Sequence, residues 1–274
     1  MLGSFCGVAD PQFHDAEWTD EDWERCSRVA AEVVRSTARA RASLPTGGPA
    51  VGREGALVVT IGAGATLSAS APAWRPTLRL RRKLRIGDAQ RTDAALVESL
   101  VRAAAHELAV AEDVALCWPA SEWPKSDVIA ESSKGQDALW DASRVEPSVK
   151  DIVAHLAAGL ETLRTHGHAG PHRLFVTPAF WTALMTPAAA GARAPWETIQ
   201  RLLGTETPVL IPPSAKGTSR AILVSTGRPS VDVVSIEPAR VGLVAYDDGN
   251  LVLQVMEGFV QRVIDGTGIR CFER

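Results

Sequence analysis

His106 and Glu107 stand side by side on an apolar-periodic stretch, opening like the helical zinc-hydrolase motif, in which a second histidine four residues after the first completes the metal face. That position is Val110, so an imidazole ligand is missing and no zinc site forms. His166, His168 and His172 cluster around Gly167 and Gly170-Pro171, where the polar end of a helix accounts for them without a metal. Gly62-Ala63-Gly64 begins like a phosphate-cradling turn, but Leu67 takes the third glycine position and no helical periodicity follows, so these glycines read as a hairpin tip. There is no Gly-x-Ser-x-Gly elbow. Cys6, Cys26, Cys117 and Cys271 are too widely spaced for a metal or redox pair and read as reduced thiols. No catalytic, metal-binding or cofactor-binding residue is assigned, although a triad built from distant positions leaves no local signature.

Composition narrows the partners. Lys and Arg number 29 against 32 Asp and Glu, and the net charge of -3 gives no general attraction to nucleic acid or anionic membrane. With 46% hydrophobic and 22% charged residues over 274 positions, the chain can bury a sizeable core as one large domain or two lobes. No apolar run reaches the roughly 18 residues of a membrane helix, and residues 1–15 lack a cationic start followed by an apolar stretch. The expectation is an unanchored cytoplasmic protein without membrane or nucleic-acid partners.

Trp18-Thr19-Asp20-Glu21-Asp22-Trp23 spells a helix start: Thr19 caps, Asp22 sits at the third helical position, and Trp18 staples onto Trp23. Trp23, Cys26, Ala30, Val33, Thr37 and Ala40 follow at helical spacing, and Pro45, Gly47, Gly48 and Pro49 stop the run. Between Gly55 and Arg85 the short β-type runs Leu57–Ile61 and Thr77–Leu80 flank a Gly/Ala/Ser-rich stretch, which reads as a long extended hairpin. Its second arm interleaves Arg79, Arg81, Arg82, Lys83 and Arg85 with leucines.

From about Thr92 to Leu116, the stripe of Val97, Val101, Ala104, Leu108, Ala111 and Ala115 predicts a long helix. The Trp- and Pro-rich segment from Cys117 to Pro147 reads as irregular. A third helix follows Pro147-Ser148, with Val149, Ile152, Leu156, Leu160 and Leu163 on one face and Gly167 as its cap. Then come a strand at Leu174–Val176, a short helix over Pro178–Met185, a small-residue loop, and a helix over Pro195–Leu203 ended by Gly204. Closing β-runs span Ala221–Ser225, Val231–Ile236, Val241–Tyr246 and Leu251–Met256 towards Val263, with Asp247-Asp248-Gly249-Asn250 as a hairpin turn.

The order of these elements carries a resemblance. Ala109-Val110-Ala111-Glu112-Asp113 at the end of the long helix, the run His168–Pro178 with Phe180-Trp181 and Leu184, the Pro195–Gly204 helix, and the closing strands Val241-Gly242-Leu243 through Val255-Met256-Glu257-Gly258-Phe259 together resemble encapsulin nanocompartment shell proteins of the linocin type, family one. The capped first helix extends the likeness over nearly the whole chain. The departure lies at residues 43–75, where Ser43-Leu44-Pro45-Thr46 and Val51-Gly52-Arg53-Glu54 replace an aromatic-Val-Asp run and a Gly-Trp segment.

The resemblance implies an α+β fold of the Hong Kong 97-type phage capsid class. Residues 1–49 would be the N-terminal arm and helix of the peripheral domain, 50–86 the extended E-loop hairpin, 87–130 the peripheral domain with its spine helix, 131–225 the axial domain, and 226–274 the closing peripheral strands. It further implies a homo-oligomeric icosahedral shell in multiples of sixty. Such a shell encloses a cargo enzyme, a dye-decolourising peroxidase or a ferritin-like iron protein, held through a C-terminal targeting peptide. The matching peptide-facing positions are Trp23, Ala30, Val33, Val34, Val241 and Leu243, each with a rival role as ordinary core. The fivefold pore loop would be Thr186, Pro187, Ala188, Ala189, Ala190, Gly191, Ala192 and Arg193, where Arg193 would favour anions, and Arg79, Arg81 and Arg85 would form an intersubunit E-loop face. A phage or prophage major capsid protein packaging DNA is the alternative, and a soluble hydrolase, for which no motif is present, is the third.

Overall fold

Thr19 starts the first helix as its sequence dictates. In the computed structural model its Oγ1 accepts from Asp22 N at 3.3 Å while its own N–H donates to Asp22 Oδ2 at 3.0 Å, a reciprocal capping box. The rings of Trp18 and Trp23 meet at 4.8 Å between centroids, forming the staple over helix α1 (Asp20–Thr37). The structure describes residues 18–47, 55–58, 61–62, 68–69, 73–87, 90, 92–132, 136–141, 144–146, 151–187, 189, 192–204, 207–227 and 230–274.

The first helix does not run on to Pro45. Ala38 is extended, and the chain restarts as α2 (Arg39–Ser43). The cause comes from far along the sequence: the Asp113 carboxylate accepts from Arg39 N at 3.2 Å and Ala40 N at 2.8 Å, capping α2 from another helix. That helix is α3 (Ala94–Cys117), capped by Asp93 Oδ1 on Ala95 N and Leu96 N. Val97, Val101, Ala104, Leu108 and Ala115 are buried, with Ala111 half-buried, and Ala105, Ala109, Glu112 and Asp113 join them out of water. A helix in contact with α1, α2 and the adjoining sheet buries more than one stripe.

The hairpin is present in its paired strands. β1 (Gly55–Val58) pairs antiparallel with β4 (Ala73–Pro76), and β2 (Ile61–Gly62) with β3 (Ser68–Ala69). Its expected second arm is corrected. β5 (Leu78–Gly87) leaves the hairpin and pairs with β12 (Asn250–Val263) from Phe259↔Leu78 to Asn250↔Gly87. Leu78, Leu80 and Ile86 are buried in the core, and that burial draws the strand away from the hairpin into the sheet. Arg79, Arg81 and Arg85 therefore lie on a sheet strand, each with a carboxylate of its own chain: Glu237 at 3.3 Å, Glu131 at 2.9 Å and Asp247 at 3.6 Å.

The sheet runs β11-β12-β5-β6, with β6 (Val128–Glu131) inside the segment read as irregular. β11 (Val231–Asp247) joins two expected strands into one, which bends at register shifts around Ser235, Glu237, Arg240 and Leu243. Pro238 is tolerated there because β11 is an edge strand. Asp248 and Gly249, at φ 48° and 73°, make the two-residue turn to β12.

A second sheet, β7-β13-β10-β8-β9, is built from Val145–Glu146 (β7), Ile269–Glu273 (β13), Arg220–Ser225 (β10), His172–Val176 (β8) and Val209–Leu210 (β9). It is covered on both sides. Phe175, Ile222, Val224 and Cys271 face the core shared with α1 and α3, while Leu174, Val176, Ala221, Leu223 and Phe272 face a second core under α4 (Ile152–Thr165), α5 (Pro178–Met185) and α6 (Pro195–Leu203). Alternation with period two thus splits one run of apolar strands between two cores. α4 begins at Ile152, where Asp151 Oδ1 accepts from Ala154 N at 3.1 Å; Val149 lies outside the described residues.

Candidate functional site

Along α1 the helical period puts Cys26, Val29, Ala30 and Val34 into the core. Opposite it, β11 is pinned by Val241 N, which donates to Ser27 Oγ at 3.2 Å. Of the six candidate peptide-contacting residues, Ala30, Val34 and Val241 are consumed by this packing, with exposures of 0%, 2% and 8%. Trp23, Val33 and Leu243 stay half-buried at its margin.

At the C-terminal end of α1 the surface sinks into a groove of about 370 Å³ walled by Val34, Ala38, Leu44, Pro238 and Ala239, with Arg41 and Glu257 also lining it. Trp23, Val33 and Leu243 lie outside that lining. Arg41 Nη1 donates to Glu112 Oε1 at 3.0 Å and also to Glu257 Oε1, and both acids are out of water, at 0% and 2% exposure. Burial, then the charge of Glu257, hold the Glu112 carboxyl well above the ordinary carboxylate range, and burial pushes Glu257 up as well. Asp113 beside them is pushed up to about 6 by burial, against the two N–H donors of α2. Glu112, Asp113 and Glu257 fall within the segments that carry the family resemblance, yet they have no readable role there. Their signal is an acid in an otherwise apolar period, which becomes informative only once Arg41 is known to reach it.

The pore-loop candidates are exposed wherever they are described. Thr186 Oγ1 donates to Thr182 O at 2.7 Å, Ala192 N donates to Ala189 O at 3.0 Å, and Arg193 reaches Glu197 at 3.8 Å. Pro187 is exposed, and Ala188, Ala190 and Gly191 lie outside the described residues.

A chemical constellation does exist where sequence alone shows only a polar helix end. His168 Nδ1 lies 3.4 Å from Ser230 Oγ, and its Nε2 lies 3.4 Å from Asp265 Oδ2 and 3.1 Å from Thr267 Oγ1. Ser230 and His168 are both at 0% exposure, so no substrate atom could reach the hydroxyl, and the group serves as a buried polar tie. His172 Nε2 bonds His168 O at 3.0 Å, and burial lowers its pKa, keeping that ring neutral. Among the described residues no three His, Cys, Asp or Glu side chains are placed to hold a metal. His106 and Glu107 are exposed, and Glu107 is engaged by Arg82.

Comparison with known proteins follows this geometry. The Linocin_M18 family model, described as encapsulating protein for peroxidase, matches residues 12–260. Among solved structures, the virus-like particle from Pyrococcus furiosus superposes with a TM-score of 0.68 at 14% identity, covering 92% of this chain and 100% of that one. The SrpI encapsulin complex from Synechococcus elongatus PCC 7942 gives 0.54 at 12%, covering 86% and 87%, and a phage-related protein from Bordetella bronchiseptica RB50 gives 0.56 at 12%, covering 90% and 96%. At such identities the likeness is one of fold. No curated protein matches the chain in sequence.

Proposed function

Because the chain belongs to the Linocin_M18 family of encapsulating proteins, matched over residues 12–260, we propose that its shell encloses a dye-decolourising peroxidase or a ferritin-like iron protein, taken up through a C-terminal targeting peptide. The chain itself is a self-assembling structural shell protein of the Hong Kong 97-type fold and not an enzyme. The family match is the observation that carries the cargo reading, and it favours an encapsulating shell over a DNA-packaging capsid, since likeness of fold alone would serve either. No described helix is long and apolar enough to cross a membrane. A cytoplasmic compartment is the location this reading assigns, and Cys26, Cys117 and Cys271, buried and free, fit a reducing one.

For the shell, we assign the paired strands of residues 55–76 to the E-loop and the rest of that region to the peripheral sheet, since β5 is bound there. Residues 1–49, 87–130 and 226–274 would complete the peripheral domain and 131–225 the axial one. The loop 186–193, exposed at Thr186, Pro187, Ala189, Ala192 and Arg193, would line the fivefold opening, with Arg193 favouring anions. In the assembled shell Arg79, Arg81 and Arg85 serve their own sheet first, and only the most exposed of them, Arg85, is left to meet a neighbour.

The peptide-contacting role is narrowed to Trp23, Val33 and Leu243, which keep accessible surface, together with the adjoining groove. Val33→Asp is expected to leave closed particles in electron micrographs while reducing co-purifying cargo about tenfold or more, since even an uncharged polar group desolvated in an apolar contact costs about 1–3 kcal/mol and a tenfold loss needs about 1.4. Intact shells with unchanged cargo would sink that assignment. Particle reconstruction of the purified wild-type chain tests the architecture: closed shells with subunits in multiples of sixty are expected, and small oligomers at high concentration would overturn the shell.

A further inference from the structure

Glu112 on α3 and Glu257 on β12 meet beneath α2, and both give their Oε1 to the same guanidinium nitrogen, Arg41 Nη1. Their outer oxygens, Glu112 Oε2 and Glu257 Oε2, are buried with no hydrogen-bond donor. Two ionised carboxylates out of water, facing one guanidinium, leave one negative charge without a counter-ion. One proton kept by the pair leaves a single charge for Arg41 to match. We propose that the proton kept by this pair is a latch on the N-terminal helices: while the pair holds it α2 stays seated, and losing it as pH rises unseats α2 from α3 and β12.

The surroundings give α2 this role. Arg41 is one-quarter exposed and lines the groove, so α2 is the element whose outward movement admits water to the pair. On α3, Asp113 sits next to Glu112 and is occupied by Arg39 N and Ala40 N. On α1, Arg35 lines the same groove, and Arg39 of α2 is exposed. From the sheet, Leu80 of β5 is paired opposite Glu257, and the nearest charges along it are Arg79 and Glu237, engaged with each other at 3.3 Å, and Arg81, engaged with Glu131 at 2.9 Å. Among the described residues, therefore, Arg41 is the cation that answers the pair. Burial raises both carboxyls above their unfolded values. Stability from such groups is fully present below the ordinary carboxylate pKa and is lost as pH rises through the folded one, which sets the release above the ordinary carboxylate range.

Hydrogen–deuterium exchange on assembled shells of the full chain, corrected for chemical exchange rates and run from about pH 5 to 9 to span the window above the ordinary carboxylate range, tests the latch. In the wild type, protection of residues 38–44 is expected to fall by up to about tenfold per pH unit as pH rises towards the pair's titration and to level off above it, while α3 stays protected. In Glu257→Gln a single carboxylate faces Arg41 and no surplus charge remains to hold a proton, so protection of 38–44 should be flat with pH; Glu112→Gln is the mirror variant. A wild type flat in pH, loosening of 38–44 and α3 together, or a wild-type slope kept in Glu257→Gln would each overturn the proposal. If neither variant assembles, the wild-type comparison between 38–44 and α3 decides alone.

Discussion

Arg220→Met should lower the stability of the subunit by about 3–5 kcal/mol, a loss of the size seen when one member of a buried ion pair is removed and its partner is left behind. Arg220 has 7% side-chain exposure and gathers groups from several elements: Nε donates to Glu273 Oε1 at 2.8 Å, Nη1 to Ser214 Oγ at 2.9 Å and also to Glu122. Its guanidinium lies 4.2 Å from the centroid of Trp140 and 5.8 Å from that of Trp118. Glu122, at 12% exposure, closes the short 3-10 turn Ala120–Glu122 that comes after α3, so the arginine ties the segment leaving that helix to β10 and β13. Methionine keeps much of the packing against the tryptophans and removes the charge, which leaves Glu122 uncompensated. Arg220→Lys keeps the charge but not the fork and should fall between. Denaturant midpoints of the three proteins check this. A midpoint for Arg220→Met within about 0.5 kcal/mol of wild type, the range of an ordinary surface change, would mean the network is idle.

That network shows where sequence reading stops. Helices were legible wherever local rules set them: Thr19 with Asp22, the stripe from Val97, the prolines opening α5 and α6, and Gly204 ending α6 all act within a few residues. The break at Ala38 was not, because the groups that impose it, the Asp113 oxygens, lie 73 and 74 positions from the Ala40 and Arg39 amides they hold. Arg79, Arg81 and Arg85 were legible as a cationic strand, but a hairpin arm and a sheet strand share one periodicity, and only pairing with β12 tells them apart. The stripe proposed to face a peptide was legible as apolar. Which of its members the chain keeps for itself depends on what packs over each: β11 and α3 take Ala30 and Val34, and Trp23 and Val33 remain at the edge. Paired acids and buried arginines join elements far apart in sequence, so neither the Arg41 site nor the Arg220 site has a local spacing to read.

Phe272→Ala, in the strand that carries no clear run of its own, should cost about 3–5 kcal/mol by loss of burial and creation of a cavity. Phe272 is fully buried on the face of β13 that meets the second core, beside Ala221 of β10 in register. The ring lies directly on the backbone of α4: a Cβ built on Gly159 would sit 2.6 Å from Phe272 Cζ and 3.3 Å from Cε1. Glycine in mid-helix costs roughly 1 kcal/mol relative to alanine, so its presence there is explained by this close approach. The two positions should consequently be coupled. Gly159→Ala alone should destabilise, because the ring must move within a packed core, whereas in the Phe272→Ala background the added methyl enters the vacated space and regains helix propensity, so the same substitution should stabilise. A double-mutant cycle on denaturant midpoints reads this as a change of sign with at least about 1 kcal/mol of coupling. Additive effects would show that α4 does not rest on the ring and that the second core is held by its other members.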